Sequence, residues 1–153
     1  MPGPVRILVT GDREWTSGSI IHHAFDHLPQ ESTIIEGKAL GADVLAYIQA
    51  RLRDFKTERY PAWWKCEDYE EDQGKPCKLE DGRHEAFHGR AAGVFRNQRM
   101  LEQSNPTEVW AFHDDLDNSK GTKDMVQRAL RAGLKVMLFS HEHPEGIVLQ
   151  TQS

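Results

Sequence analysis

Short β-branched runs alternate with amphipathic stretches along most of this 153-residue chain. That alternation admits few folds: a mainly parallel sheet with helices covering both of its faces. Five strands are predicted, at Val5–Thr10, Thr33–Glu36, Lys56–Tyr60, Glu108–Phe112 and Lys135–Phe139. Between them, helices are predicted from about Ser19 to Leu28, Ala42 to Arg53, Ala91 to Glu102 and Lys123 to Ala132. Ile20, Ile21, Ala24, Phe25 and Leu28 mark the inward face of the first helix, and Leu45, Ile48 and Leu52 that of the second. Gly133 stands where a C-terminal cap belongs.

Between Pro61 and Arg90 the periodicity breaks down into Trp63-Trp64, an acidic run (Glu67, Asp68, Glu70, Glu71, Asp72) and scattered Gly and Pro, so 61–90 reads as an inserted loop or lid. Residues 140–153 read as a polar tail or an edge element. The length fits one domain, 1–153, with one core. The formal charge of -5 lacks the basic field of an extended nucleic-acid surface. No run of about 18 apolar residues is present for a membrane span, and no long apolar segment follows the N-terminus. Two cysteines are too few for a disulfide framework, so a reducing, cytoplasmic setting is expected.

In such sheets ligands bind at the carboxyl ends of the strands, near the reversal of strand order. Three glycine-bearing turns fall there: Gly11-Asp12-Arg13-Glu14-Trp15, Gly37-Lys38-Ala39-Leu40-Gly41-Ala42-Asp43, and His113 onward into Lys120-Gly121-Thr122. Glycines let backbone amides approach an oxyanion closely, a helix N-terminus favours negative charge, and Lys120 or Arg13 can supply the counter-charge. With these turns, the stretches His88–Met100 and Ser119–Met125, each a glycine-bearing loop leading into a helix, read as a phosphate site for a small anionic ligand.

Val-Thr-Gly-x-Arg, Gly-x-x-x-Gly-Ala-Asp, Gly-Arg-Ala-Ala-Gly-x-x-Arg-Asn-x-x-Met and Ser-Lys-Gly-Thr-x-Asp-Met occur in this order. In these motifs the chain resembles the YspA, cpYpsA-related branch of the SLOG superfamily, which joins the Smf/DprA proteins to the LOG phosphoribohydrolases. The resemblance implies a Rossmann-like three-layer α/β domain that binds nucleotides or their derivatives, paired as a homodimer through helices beside the site. Lys120, Gly121 and Thr122 would hold a phosphate, and Gly11, Arg13, Gly37 and Gly41 would line the opposite wall. Arg96, Asn97 and Asp124 would face the ribose.

In the LOG enzymes an Arg and a Glu act in cleaving the N-glycosidic bond of nucleoside 5′-monophosphates, and Arg96 and Asp124 fall at the matching positions. An oxocarbenium-like ribose favours a carboxylate beside C1′. Asp124 reads equally as a first-turn partner of the helix dipole, and Asp43 as a local hydrogen-bonding residue. The chain departs from its relatives in Glu36-Gly37-Lys38-Ala39-Leu40-Gly41-Ala42-Asp43, where the cation stands at 38 instead of 40. The acidic His113–Lys120 loop also replaces a Pro-Gly-Gly turn. Its Asp114 and Asp115 could repel a phosphate, bind a divalent ion or recognise sugar hydroxyls.

Cys66, Cys77, His84 and His88 are zinc-ligand types at an unconventional spacing. They read as free thiols and histidines of the lid, with no metal expected there. Trp63 and Trp64 read either as a stacking platform for a base or as loop anchors.

Overall fold

The computed structural model describes residues 4–150. The strands are β1 (Arg6–Gly11), β2 (Thr33–Glu36), β3 (Lys56–Arg59), β4 (Glu108–Phe112), β5 (Lys135–Phe139) and β6 (Ile147–Leu149). They form one sheet in the order β3-β2-β1-β4-β5-β6, parallel except for β6, which runs antiparallel to β5. The sheet therefore has six strands where five were expected. The sixth lies in the segment read as a tail or edge element: Ile-Val-Leu follows Gly146 and closes the sheet edge.

The helices are α1 (Gly18–Phe25), α2 (Ala42–Leu52), α3 (Cys66–Gln73), α4 (Ala92–Ser104) and α5 (Gly121–Arg131). β1 is buried on both sides: Ile7 and Val9 join the cluster with Ile21 and Phe25 of α1 and Ala46 and Ala50 of α2, while Leu8 joins Met100 of α4 and Met125 of α5. Near-continuous apolar strands are what a helix layer on each face demands.

The inward face of α2 differs from expectation. Ile48 and Leu52 are exposed and Leu45 is half-buried, whereas Ala42, Ala46 and Ala50 are fully buried. Alanines let this helix approach α1 and the sheet closely, so the small residues take the core and the larger ones are displaced outward.

The 61–90 segment is also more regular than its composition suggested. Glu67 and Asp68 sit in the first turn of α3, the Asp68 carboxylate accepts the Lys65 N–H at 3.1 Å, and Gly74 ends the helix in the left-handed region with φ of 71°. Two members of the acidic run are thus N-terminal acids and a glycine closes the helix, both favourable to it.

The chain crosses from β3, at one edge, to β4 beside β1. That crossover makes the β1/β4 boundary the point where strand order reverses, and the Asp12 N–H donates to the Phe112 carbonyl across it at 3.0 Å.

Candidate functional site

A cavity of about 520 Å³ opens at the carboxyl ends of β1 and β4. Gly11 and Arg13 line it from β1, Arg96 and Asn97 from α4, and Lys120, Gly121 and Thr122 from the start of α5. Seven of the predicted residues therefore face one hollow. Gly37 and Lys38 line an adjoining hollow of about 500 Å³, which shares Arg13, Trp64 and Arg96 with the first.

Gly11 is required by close packing. A Cβ there would lie 2.6 Å from both the Ala42 Cβ and the Phe112 carbonyl oxygen, which no real side chain tolerates. Gly41, at φ of 75°, lies against the Asp12–Arg13 backbone and supports the wall from behind. The N-terminus of α5 also borders the cavity. At the α5 start Ser119 Oγ accepts the Lys123 N–H at 3.0 Å and the Lys120 carbonyl accepts that of Asp124, also at 3.0 Å. The Gly121 and Thr122 N–H groups bond to no described residue, and both residues border the cavity.

Around the cavity, Arg13, Arg90 and Lys120 make no ion pair among the described residues. Asp12, Glu14 and Asp43 are the carboxylates facing them. Asp43 is buried, and its Oδ2 accepts the N–H groups of Gly37 at 3.0 Å and Ala39 at 3.3 Å. Burial, reinforced by the nearby Glu36 charge, pushes its carboxyl up to about 7. Glu36 is fully buried at the end of β2, where it pairs with Arg59 and accepts the Lys38 N–H at 2.6 Å. Burial raises its pKa too, against the pull of Arg59.

Arg96 fastens the same loop from the other side. Its Nη1 donates to the carbonyls of Gly37 and Tyr60, and its Nε donates to Asn97 Oδ1 at 3.0 Å. A Cβ at Gly37 would lie 2.7 Å from the Arg96 guanidinium carbon, so the second motif's glycine makes room for the third motif's arginine. Burial works against the Arg96 charge, while Asp43 and Glu36 favour it.

Asp124 stands one hydrogen bond away from the cavity and is not part of its wall. Its Oδ2 accepts from Asn97 Nδ2 at 3.1 Å and from Arg128 Nε at 2.8 Å. Asp114 and Asp115 are engaged separately. Asp114 binds the backbone and ring of His141, both at 2.8 Å, and both Asp115 oxygens accept from Asn118 at 3.0 Å.

The two tryptophans sit differently. Trp63 is an anchor: its Nε1 donates to Asp72 at 2.9 Å, Tyr69 packs edge-on at 4.9 Å, and Arg99 lies 3.6 Å over its ring. Trp64 is 41 % exposed, faces both hollows and carries the Arg13 guanidinium 5.4 Å above it. Sequence reasoning quoted Arg90 within its third motif but named neither it nor Glu36 as a site residue. A charged residue closing the β-branched run Thr-Ile-Ile was the one signal for Glu36.

With this geometry in place, comparison with known proteins places the N-terminal part of the chain. Residues 5–66 match the model of the YspA, cpYpsA-related SLOG family. The sequence motifs resemble this same family, and the match runs from just before β1 to the first residue of α3. The SLOG match therefore contains Gly11, Arg13, Gly37, Lys38 and Gly41, while Arg96, Asn97 and the Lys120–Thr122 turn lie beyond it.

Among solved structures, the chain is similar to DNA processing protein A (DprA) from Streptococcus pneumoniae. The two share 16 % identity and a TM-score of 0.56, over 90 % of this chain and 50 % of that one. The chain thus spans about half the length of that structure, and the likeness is one of fold. A comparison with curated proteins finds no match.

Proposed function

We propose that the cavity at the β1/β4 crossover binds the phosphate of a nucleotide-derived ligand, as a sensing or nucleotide-processing domain. The observation that carries this reading is the convergence of the Gly121 and Thr122 amides with the cations Arg13, Arg90 and Lys120, all without a bonding or ion-pair partner among the described residues, around one hollow of about 520 Å³. A phosphate at the α5 N-terminus would meet the amides and the helix dipole together, with charge-assisted contacts from Lys120. Trp64, exposed on the same hollow, offers a face on which a base can stack.

Calorimetry with AMP, ADP-ribose and a dinucleotide as probes tests it. Saturable binding that weakens about tenfold or more in Thr122→Ala supports the reading, and no heat from any probe rejects it.

The runner-up is N-glycosidic hydrolysis of a nucleoside 5′-monophosphate. It has less geometric support, because Asp124 is held by Arg128 and Asn97 away from the wall, and Arg96 is spent on backbone carbonyls. Release of free base from a monophosphate, abolished by Asp124→Asn, would reinstate it. A nucleic-acid role, suggested by the name of the DprA structure, sits poorly with a formal charge of -5.

A homodimer would find its contact at Phe87 and Phe95, exposed and stacked at 4.8 Å beside Val94 at the cavity rim.

A further inference from the structure

Four side chains of the 61–90 insertion meet at one point. Cys66 opens α3. Cys77 and His84 flank a short hairpin, closed by the Lys78–His84 bridge and by the Leu79 N–H donating to the Arg83 carbonyl at 2.7 Å. His88 follows after three intervening residues. Cys66 Sγ lies 3.3 Å from His84 Nδ1 and 3.6 Å from His88 Nε2. Cys77 Sγ lies 3.7 Å and 3.2 Å from the same two nitrogens. All four atoms fall within 4.8 Å of one another, and no other group of three or more such ligands occurs among the described residues.

We propose that Cys66, Cys77, His84 and His88 bind one zinc ion in a structural Cys2His2 site that fixes the insertion beside the cleft. A tetrahedral zinc, with Zn–S of about 2.3 Å and Zn–N of about 2.0–2.1 Å, sets its sulfur and nitrogen ligands about 3.6 Å apart. One thiol–imidazole hydrogen bond would explain one of the observed distances. It would not bring all four sulfur–nitrogen separations to 3.2–3.7 Å at once, each close to an edge of that tetrahedron.

The surroundings are those of a ligand shell. The Trp63 carbonyl, which can only accept, lies 2.7 Å from His88 Nδ1. The ring proton therefore sits on Nδ1, and the Nε2 lone pair faces the two sulfurs. Metal-bound histidines are oriented in this way by an outer partner. On binding, both thiols would release a proton to solvent, and two thiolates would neutralise the dication.

The need for an ion follows from the apolar content. Only Tyr69, Cys77 and Ala86 are buried in the insertion's own cluster, too few to order a segment of this length. The same residues explain why the site would matter to the cleft. Trp64 lies two residues before Cys66 and Arg90 two after His88, and both line the cavity. The Trp64 carbonyl also accepts the Gly89 N–H at 3.1 Å, tying the two ends together.

Metal analysis of untagged protein, purified without chelator, tests the proposal independently of any nucleotide. One zinc per chain is expected. In a chelator competition, His84→Ala should weaken zinc by more than the roughly 10–100-fold loss that follows removal of an outer-shell partner. Should a ligand variant not fold, cobalt added to stripped wild-type protein provides the second readout. The intense d–d and thiolate-to-metal absorption of tetrahedral cobalt supports the site. Folded wild-type protein that contains no zinc and gives no such spectrum would overturn it. So would an intact mass showing Cys66 and Cys77 joined in a disulfide.

Discussion

The sheet and the 61–90 insertion hold their shapes by different means. Among the described residues, fourteen and nine buried apolar residues fill the two faces of the sheet, and the insertion has a cluster of three. The sheet can spend charge at its ligand edge because burial elsewhere stabilises it. That reserve offsets the cost of enclosing Glu36, Asp43 and Arg96 under the β2–α2 loop. The insertion has no such reserve. Polar contacts hold it: Trp63 with Asp72, the Cys77 N–H with Glu70 Oε2 at 2.9 Å, and the Cys/His cluster. The cleft lies where the two regimes meet, with rigid glycine turns on the sheet side and Trp64 and Arg90 on the insertion side.

The largest effect that can break this contrast is a cavity in the sheet. Phe112 is fully buried and stacked on Phe139 at 4.7 Å. Phe112→Ala should cost about 3–5 kcal/mol in denaturant unfolding. Tyr69→Ala should leave that midpoint almost unchanged while speeding proteolysis within 61–90. Equal losses in the two variants would erase the distinction.

The buried carboxylate sharpens it through pH. Asp43 has an ordinary value of 3.8 and is raised to about 7 in the fold. The unfolded chain therefore loses this proton first, and ionisation destabilises the native state as pH rises from 3.8 to about 7. Full stability from this group is present below that window, and the loss across it is at most about 4 kcal/mol. Asp43→Asn keeps an acceptor for the Gly37 and Ala39 amides. The difference between variant and wild-type stability should grow across the window in the variant's favour, and a flat difference would contradict the burial argument.

A smaller effect is expected at Gly11, where Gly11→Ala must displace Ala42 or the Phe112 carbonyl at a cost of about 1–3 kcal/mol. Ligand affinity should fall with it, because the same turn forms the wall. The smallest is at the surface. Phe95→Lys should leave stability within about 0.5 kcal/mol and shift any dimer seen by light scattering toward monomer.

Much of this architecture was legible in the residues. β2, β4 and β5 fall where the β-branched and aromatic runs place them, because buried parallel strands leave an unbroken apolar signature. Two of the predicted glycine turns have a steric reason to carry glycine, since a Cβ at Gly11 or Gly37 would collide with its neighbours. What escaped was set by tertiary packing. The inward face of α2 belongs to alanines, which carry almost no periodic signal. In α3 a single buried tyrosine hides among carboxylates. The cysteines and histidines of the insertion converge only because a hairpin brings Cys77 to His84, and no linear spacing reveals that. Asp124 was read either as facing the ribose or as a first-turn partner of the helix dipole, and neither reading anticipated its ion pair with Arg128 one turn later on the same helix.

The central claim is that the unbonded amides at the start of α5 receive a phosphate, and amide chemical shifts report on those groups directly. Titrating AMP and ADP-ribose into isotope-labelled protein should shift the Gly121, Thr122 and Gly11 resonances saturably and leave those of β6 in place. Unmoved Gly121 and Thr122 amides at millimolar probe, or shifts confined to residues away from the β1/β4 crossover, would contradict the account.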